Sequence, residues 1–144
     1  MKKILYLGLE LPEALAHFGS DRVIHCPLIQ IMPRPPSLPD IRMAFQYLPS
    51  YTHLVFTSKS AVKILFDYLV DFNFTVNDLT GKQCLAVGES TAKEICRQGL
   101  TVSAVAQEET AEGLVEVVEK LPISDQAFFF GPALPLLVRF FLIF

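Results

Sequence analysis

The chain has 144 residues, of which 51% are hydrophobic and 19% charged, and its formal net charge is -3. This length suits about one ordinary domain with a core of its own. A mean hydropathy of +0.40 indicates that both faces of a sheet must be covered. The negative charge excludes a broad electrostatic surface for a phosphate backbone, so nucleic acid is not expected as a partner.

The first third of the chain predicts a strand over 2–8, a short helix over 11–18 and a second strand over 23–32. Pro27 interrupts the second strand and marks an edge or a bulge. Residues 1–33 are therefore predicted to form a small strand-helix-strand unit. The proline-rich segment 34–39 cannot donate a ladder of hydrogen bonds and is predicted to be a connector.

Residues 40–144 alternate between strand and helix patterns, and they are predicted to form a second α/β domain. The apolar runs predict strands at 53–57, 83–88, 102–106 and 127–131, with helices at 40–48, 59–71, 90–98, 110–121 and 133–143. Because these strands are apolar throughout, the predicted fold class is α/β, a doubly wound parallel sheet flanked by helices and preceded by the strand-helix-strand unit.

The last segment, 127–144, is strongly apolar. Its length is near the lower limit for a membrane span, but Gly131, Pro132, Pro135 and Arg139 interrupt it, so a buried strand and helix are favoured and no membrane partner is expected. Its apolar end predicts that the second domain is incomplete. Self-association through this tail would be another way to bury its apolar surface.

Two strand ends carry hydroxyl residues at the start of a predicted helix: Thr57, Ser58 and Ser60 in one turn, Ser90 and Thr91 in the other. Each turn is predicted to be a helix N-terminus with exposed hydroxyls, which suits anionic groups of a ligand. Helix capping alone would also explain these residues. Both turns follow strands of one parallel sheet, where ligands usually bind. Neither matches a dinucleotide or P-loop fingerprint.

The three cysteines and three histidines lack the spacing of a metal site, so no metal is expected. Cys84 falls in a predicted strand and Cys96 on the apolar face of a predicted helix, and both are expected to be buried structural thiols. The odd number of cysteines and the lack of a signal peptide pattern predict a cytoplasmic location.

The order and spacing of several short segments resemble the uroporphyrinogen-III synthase family of tetrapyrrole biosynthesis. The segments are Pro-Leu-Ile-Gln-Ile at 27–31, Phe-Thr-Ser-Lys-Ser-Ala-Val at 56–62, Ala-Val-Gly-Glu-Ser-Thr-Ala at 86–92, and Glu-Thr-Ala-Glu-Gly-Leu at 109–114. They cover most of the chain up to about residue 121. Each segment is short, so their order and spacing carry the resemblance.

The resemblance implies a two-domain enzyme whose first domain is built from both ends of a longer chain, so that residues 1–33 would be an incomplete first α/β domain. It implies that hydroxymethylbilane is closed into a ring with the last pyrrole inverted, through loss of the hydroxyl group and a spiro intermediate, without metal or organic cofactor. Thr57, Ser58 and Thr91 would line the cleft, with Ser60 and Ser90 beside them, and the catalytic residue is unknown. A monomer is expected.

Two alternatives remain at this point. Family members are considerably longer, so the chain is expected to be a truncated and inactive portion of such an enzyme. A non-catalytic α/β module that binds a carboxylate or phosphate ligand at the same turns would also account for the pattern.

Overall fold

A computed structural model describes residues 3–108, 113, 116 and 127–130. The chain divides into two compact units, Met1–Pro33 and Arg34–Phe144. The first unit contains a two-stranded sheet and the second a four-stranded sheet, and all strand pairs in both are parallel. The fold is α/β with parallel sheets flanked by helices, as the apolar strand pattern predicts.

The first unit is a short strand-helix-strand motif. Strand β1 is Ile4–Tyr6, helix α1 is Glu13–Ala16 and strand β2 is Val23–His25, with Ile4 opposite Val23 in the register. The second strand is shorter than the predicted 23–32. Strand β2 ends early because Pro27 has no N–H group to pair with β1. Beyond Pro27, the two segments share one long hydrogen bond, from the Leu28 amide to the Leu7 carbonyl at 3.4 Å.

Little of this first unit is buried. Val23 is the one buried side chain among residues 3–33, although the segment is rich in apolar residues. The large apolar side chains that are at least half exposed are Leu5, Phe18, Ile24, Leu28, Ile29 and Met32. The described part of this unit therefore has almost no hydrophobic core of its own.

The sheet of the second unit has the order β5-β4-β3-β6. Its strands are β3 at His53–Phe56, β4 at Gln83–Val87, β5 at Val102–Ala106 and β6 at Ala127–Phe130. All four agree with the sequence prediction to within a residue. The chain moves outward from β3 to β4 and β5, then returns to place β6 on the free side of β3. The direction of winding thus reverses at β3, which makes β3 the switch point of the sheet.

Three helices of the second unit lie within the described residues: α2 at Pro39–Gln46, α3 at Lys59–Asp71 and α4 at Glu89–Arg97. Short 3₁₀ turns occur at Leu48–Ser50 and Val76–Leu79. These confirm the predicted helices at 40–48, 59–71 and 90–98. The helices predicted at 110–121 and 133–143 fall outside the described residues, except that positions 113 and 116 are helical.

The core lies between the sheet and these helices. Strands β3 and β4 are buried almost throughout, and Leu54 and Phe56 are fully inaccessible to solvent. Helix α3 presents Val62 and Leu65 to them at helical spacing, since residues three or four apart share one face. Each of these side chains contributes roughly 1.5–3 kcal/mol by its burial. The sheet is thereby a rigid support for the turns at its edge.

Candidate functional site

Within the described residues, three turns leave the second sheet at its carboxyl edge. Phe56 lies opposite Ala86 in the register, and Val87 lies opposite Ala106. Because these strands are parallel and adjacent, the residues that follow them, Thr57, Gly88 and Gln107, emerge at one edge. The structure therefore brings the two predicted hydroxyl turns to the same edge of the sheet.

The turn after β3 is a capped helix start. Ser58 is the N-cap of α3, and its Oγ accepts a hydrogen bond from the Ala61 amide at 3.1 Å. The capping interpretation is thus confirmed for Ser58. A serine hydroxyl that accepts one bond still has its own O–H to donate, so capping and ligand contact are compatible in this residue.

Thr57 and Ser60 flank this cap, and both are half-buried. The Thr57 Oγ1 atom is inaccessible to solvent and has no hydrogen-bond partner among the described residues. A buried hydroxyl without a partner costs about 1–3 kcal/mol, so this atom has a strong requirement for one. Ser60 is the second residue of α3.

The turn after β4 is built on glycine. Gly88 is the N-cap of α4, with φ 81° and ψ 153°, a conformation that essentially only glycine adopts. Its amide donates to the Ala106 carbonyl at 2.9 Å, which ties the turn to β5. No side chain caps α4. The first amides of this helix thus lack a side-chain acceptor, unlike those of α3.

Ser90 and Thr91 are the second and third residues of α4 and not its cap. Ser90 is exposed, as expected, whereas Thr91 is 2% exposed, so the expectation of an exposed hydroxyl is wrong for Thr91. The reason is the phase of the helix. Thr91 lies four residues before the fully buried Ile95 and shares its inward face.

Two further polar groups at this edge were not singled out by the sequence analysis. Glu89, the first residue of α4, accepts a hydrogen bond at 3.3 Å from the Nε2 atom of Gln107, which follows β5. Both side chains are exposed. The signal was available, since Gln107 directly follows β5 and Glu89 is the second residue after β4, and residues that follow adjacent parallel strands must reach the same edge.

The cysteines differ from the prediction in one case. Cys84 is buried in β4, and burial, with a smaller contribution from Cys96, raises the pKa of its thiol to about 11. Cys96 is exposed, so its predicted burial is wrong. It lies on α4 next to the buried Ile95, one residue further round the helix, and that step turns it out of the core.

Neither a metal cluster nor a membrane-crossing helix is found in the part of the chain that the structure describes. No three His, Cys, Asp or Glu side chains there are grouped so that they could hold a metal ion. The described helices are all too short or too polar to cross a bilayer.

The strand order and the carboxyl-edge turns define the architectural class of the second unit. A parallel sheet wound outward in one direction and then continued on the other side of its first strand is the doubly wound α/β architecture, in which ligands bind outside the carboxyl ends of the strands at the reversal. Thr57 and Ser58 follow the strand at which this reversal occurs.

Comparison with known proteins identifies the family. The family model described as uroporphyrinogen-III synthase HemD matches residues 10–133. The chain therefore belongs to the uroporphyrinogen-III synthase family, in agreement with the resemblance found in the sequence. No match was found among curated protein sequences.

Solved structures support the same fold. The chain is similar to wild-type uroporphyrinogen III synthase from Thermus thermophilus, with 23% identity and a TM-score of 0.56 over 95% of this chain and 55% of that one. A mutant of that protein matches with 20% identity and a TM-score of 0.55, over 81% of this chain and 47% of that one. A third structure of it matches with 20% identity and a TM-score of 0.51, over 86% and 49%. The chain spans about half the length of these relatives.

Proposed function

We propose that this chain is part of a uroporphyrinogen-III synthase, which closes the linear tetrapyrrole hydroxymethylbilane into a ring with the last pyrrole inverted. The observation that carries the proposal is the family match over residues 10–133. The carboxyl-edge turns supply what a substrate with acetate and propionate side chains requires, namely hydroxyl and amide donors grouped at one edge.

Thr57 and Ser58 are the first candidates for contact with the substrate carboxylates. They follow the switch-point strand β3, and Ser58 has a proton left to donate. The Oγ1 atom of Thr57 lacks a partner among the described residues, and because it is inaccessible to solvent it would reach a carboxylate only if the turn opened to admit the substrate. Each hydrogen bond to a carboxylate would contribute on the order of 1–3 kcal/mol. Several together would fold the flexible substrate by position, and no strong acid or base is required for that part of the catalysis.

Ser60, Ser90 and Thr91 are proposed as secondary contacts. Ser90 is exposed on the first turn of α4, where the helix dipole favours a negative group. Thr91 has a buried side chain, so its contribution would be made by its backbone amide. Glu89 would repel a carboxylate placed directly beside it, which favours approach from the Ser58 side.

The organisation of the whole enzyme is also a proposal. We propose that the first unit is half of a domain completed by a further part of a longer chain, which would account for its exposed apolar side chains. The enzyme is proposed to be a cytoplasmic monomer without a cofactor. The isolated 144-residue chain, lacking the other half of the relatives' length, is proposed to be inactive and to be able to self-associate.

The activity is tested by supplying hydroxymethylbilane and separating the uroporphyrin isomers after oxidation. A longer protein that contains this chain should form the inverted isomer III, while the 144-residue chain should form no more of it than buffer. If a longer protein that is folded by circular dichroism also forms only the uninverted isomer, the proposed function is wrong.

The site is tested by calorimetry with that longer protein. We expect hydroxymethylbilane to bind more tightly than inorganic phosphate, and the double variant Thr57→Val, Ser58→Ala to weaken it by about tenfold or more. Ser103→Ala, an exposed serine within β5, is the matched control and should bind as wild type. Equal affinity for both anions, or unchanged affinity in the double variant, would contradict the site assignment.

A further inference from the structure

The proline-rich segment 34–39 is attached to the second unit by three contacts. The Tyr68 hydroxyl, on α3, donates a hydrogen bond to the Arg34 carbonyl at 2.7 Å. The Arg34 guanidinium pairs with the Asp40 carboxylate at 2.8 Å, at the start of α2. Leu38 packs against the hydrophobic core, and its amide donates to the Pro35 carbonyl at 3.2 Å. The segment is therefore held at both of its ends, by Arg34 and by Leu38.

Tyr68 is well fixed for this role. Its side chain is only 6% exposed and meets the edge of the Phe45 ring at a centroid distance of 5.6 Å. Phe45 in turn stacks on Phe72 at 4.6 Å, so the three rings form one rigid cluster between α2 and α3. Burial raises the pKa of the Tyr68 hydroxyl, which keeps it protonated as a donor. The packing of the Tyr68 ring thus fixes the position of its hydroxyl group relative to the segment.

The residues just before this segment lack comparable contacts. Within the part of the chain that the structure describes, residues 29–33 form no hydrogen bond and belong to no helix or strand. Leu28, Ile29 and Met32 are between 70% and 74% exposed. Segments with exposed backbone and few buried contacts are the ones that open at low free-energy cost.

We infer that Tyr68 is the anchor of a strap, defined as residues 34–39, and that its hydroxyl holds this strap on the second unit. The proline composition of 34–39 is typical of a free connector, but its contacts make it part of the second unit. Residues 35–38 form a turn closed by the hydrogen bond from the Leu38 amide to the Pro35 carbonyl, and the prolines favour this turn because each fixes its own φ. Tyr68 is a positioning residue and takes no part in chemistry.

The test is amide hydrogen exchange of the 144-residue chain, measured residue by residue. In the wild type the Leu38 amide should be protected, whereas those of Ile29, Ile31 and Met32 should exchange near the rate of an unstructured peptide. Tyr68→Phe removes the hydroxyl alone and should accelerate exchange at Leu38 by about fivefold, the effect of losing one hydrogen bond. Asp40→Asn should also accelerate exchange at Leu38, but by a smaller factor, because its ion pair with Arg34 is partly exposed to solvent.

Two controls separate this effect from general destabilisation. Tyr47→Phe removes a tyrosine hydroxyl from the exposed surface of the same region and should leave the Leu38 rate unchanged. The amides of Leu54 and Leu85 in the central strands report global opening, and they should not change in Tyr68→Phe. The inference is overturned if Leu38 exchanges as fast as Ile29 in the wild type, or if Tyr68→Phe leaves its rate unaltered.

Discussion

Phe56 of β3 and Ala86 of β4 are register partners at the carboxyl edge of the parallel sheet. This pairing places Thr57 and Ser58 beside Gly88 and Glu89, although about thirty residues separate the two turns in the chain. One of these helix starts is capped by a serine and the other by a glycine without a side chain. The two turns therefore differ in what they contribute to stability and to ligand binding.

The first prediction concerns the cap of α3. Ser58→Ala removes the acceptor of the Ala61 amide and should lower the free energy of unfolding by about 1 kcal/mol. Ser58→Asn should preserve most of it, because asparagine is an equally good N-cap. Ser60→Ala, two residues further along, is the control and should change stability by less than about 0.5 kcal/mol. Urea denaturation checks all three, and equal losses in Ser58→Ala and Ser60→Ala would contradict the capping role.

The second prediction concerns the backbone at Gly88. Its φ of 81° with ψ of 153° excludes side chains, so Gly88→Ala should cost about 1–3 kcal/mol. Asparagine relieves strain at an ordinary left-handed helical position but not in this region, so Gly88→Asn should be as destabilised as Gly88→Ala. Thermal denaturation compares the two variants. A wild-type melting temperature in Gly88→Asn would show that the turn has a different conformation.

The third prediction concerns thiol reactivity. Cys26 and Cys96 are exposed, whereas Cys84 is buried with a thiol pKa of about 11. At pH 8 a disulfide reagent should therefore modify two thiols quickly and the third only after unfolding. Cys96→Ser should reduce the fast phase to one thiol, and Cys84→Ser should leave it at two. Two fast thiols remaining in Cys96→Ser would mean that Cys96 is buried after all.

The fourth prediction concerns pH and His53, the first residue of β3. It is 5% exposed, its Nδ1 lies 2.8 Å from the Thr52 hydroxyl, and its Nε2 has no partner among the described residues. Burial lowers its pKa below the ordinary 6.5. The unfolded chain then binds a proton before the folded one does, so the neutral ring's contribution to stability is complete above pH 6.5 and is lost as the pH falls below it.

This linkage is checked by urea denaturation between pH 5 and pH 8. The free energy of unfolding should fall below pH 6.5 with a slope of up to about 1.4 kcal/mol per pH unit from this group. His53→Asn should flatten that part of the profile, while His17→Gln, at an exposed position, should leave it unchanged. The same slope in His53→Asn as in the wild type would assign the pH dependence to other groups.

Most of the secondary structure could be predicted because it is encoded locally. Apolar runs identified β3, β4 and β5, and the helical apolar pattern over 59–71 identified α3. The wrong predictions concern places where a single residue changes the exposure of a side chain or the end of a strand. A single step along α4 exposes Cys96 beside the buried Ile95, and Pro27 ends β2 earlier than its apolar pattern suggests.

The candidate site was predictable in its residue types but not in its arrangement. Hydroxyl residues after strands pointed to helix starts, and this was correct for Ser58. The cap at Gly88 and the burial of Thr91 depend on how α4 lies against the sheet, which the local sequence does not specify. The attachment of the strap by Tyr68 depends on a contact between residues 34 positions apart.

By itself, the amino-acid sequence determined the strands, the helices and the resemblance to a family, because hydrophobic periodicity, caps and turn residues act over a few neighbouring positions. Only the tertiary structure decided that β6 returns to the free side of β3, so that Thr57 and Ser58 follow the switch-point strand, and that the prolines of segment 34–39 belong to the second unit. Strand order and register depend on long-range pairing and packing, whose energies are distributed over residues far apart in the chain.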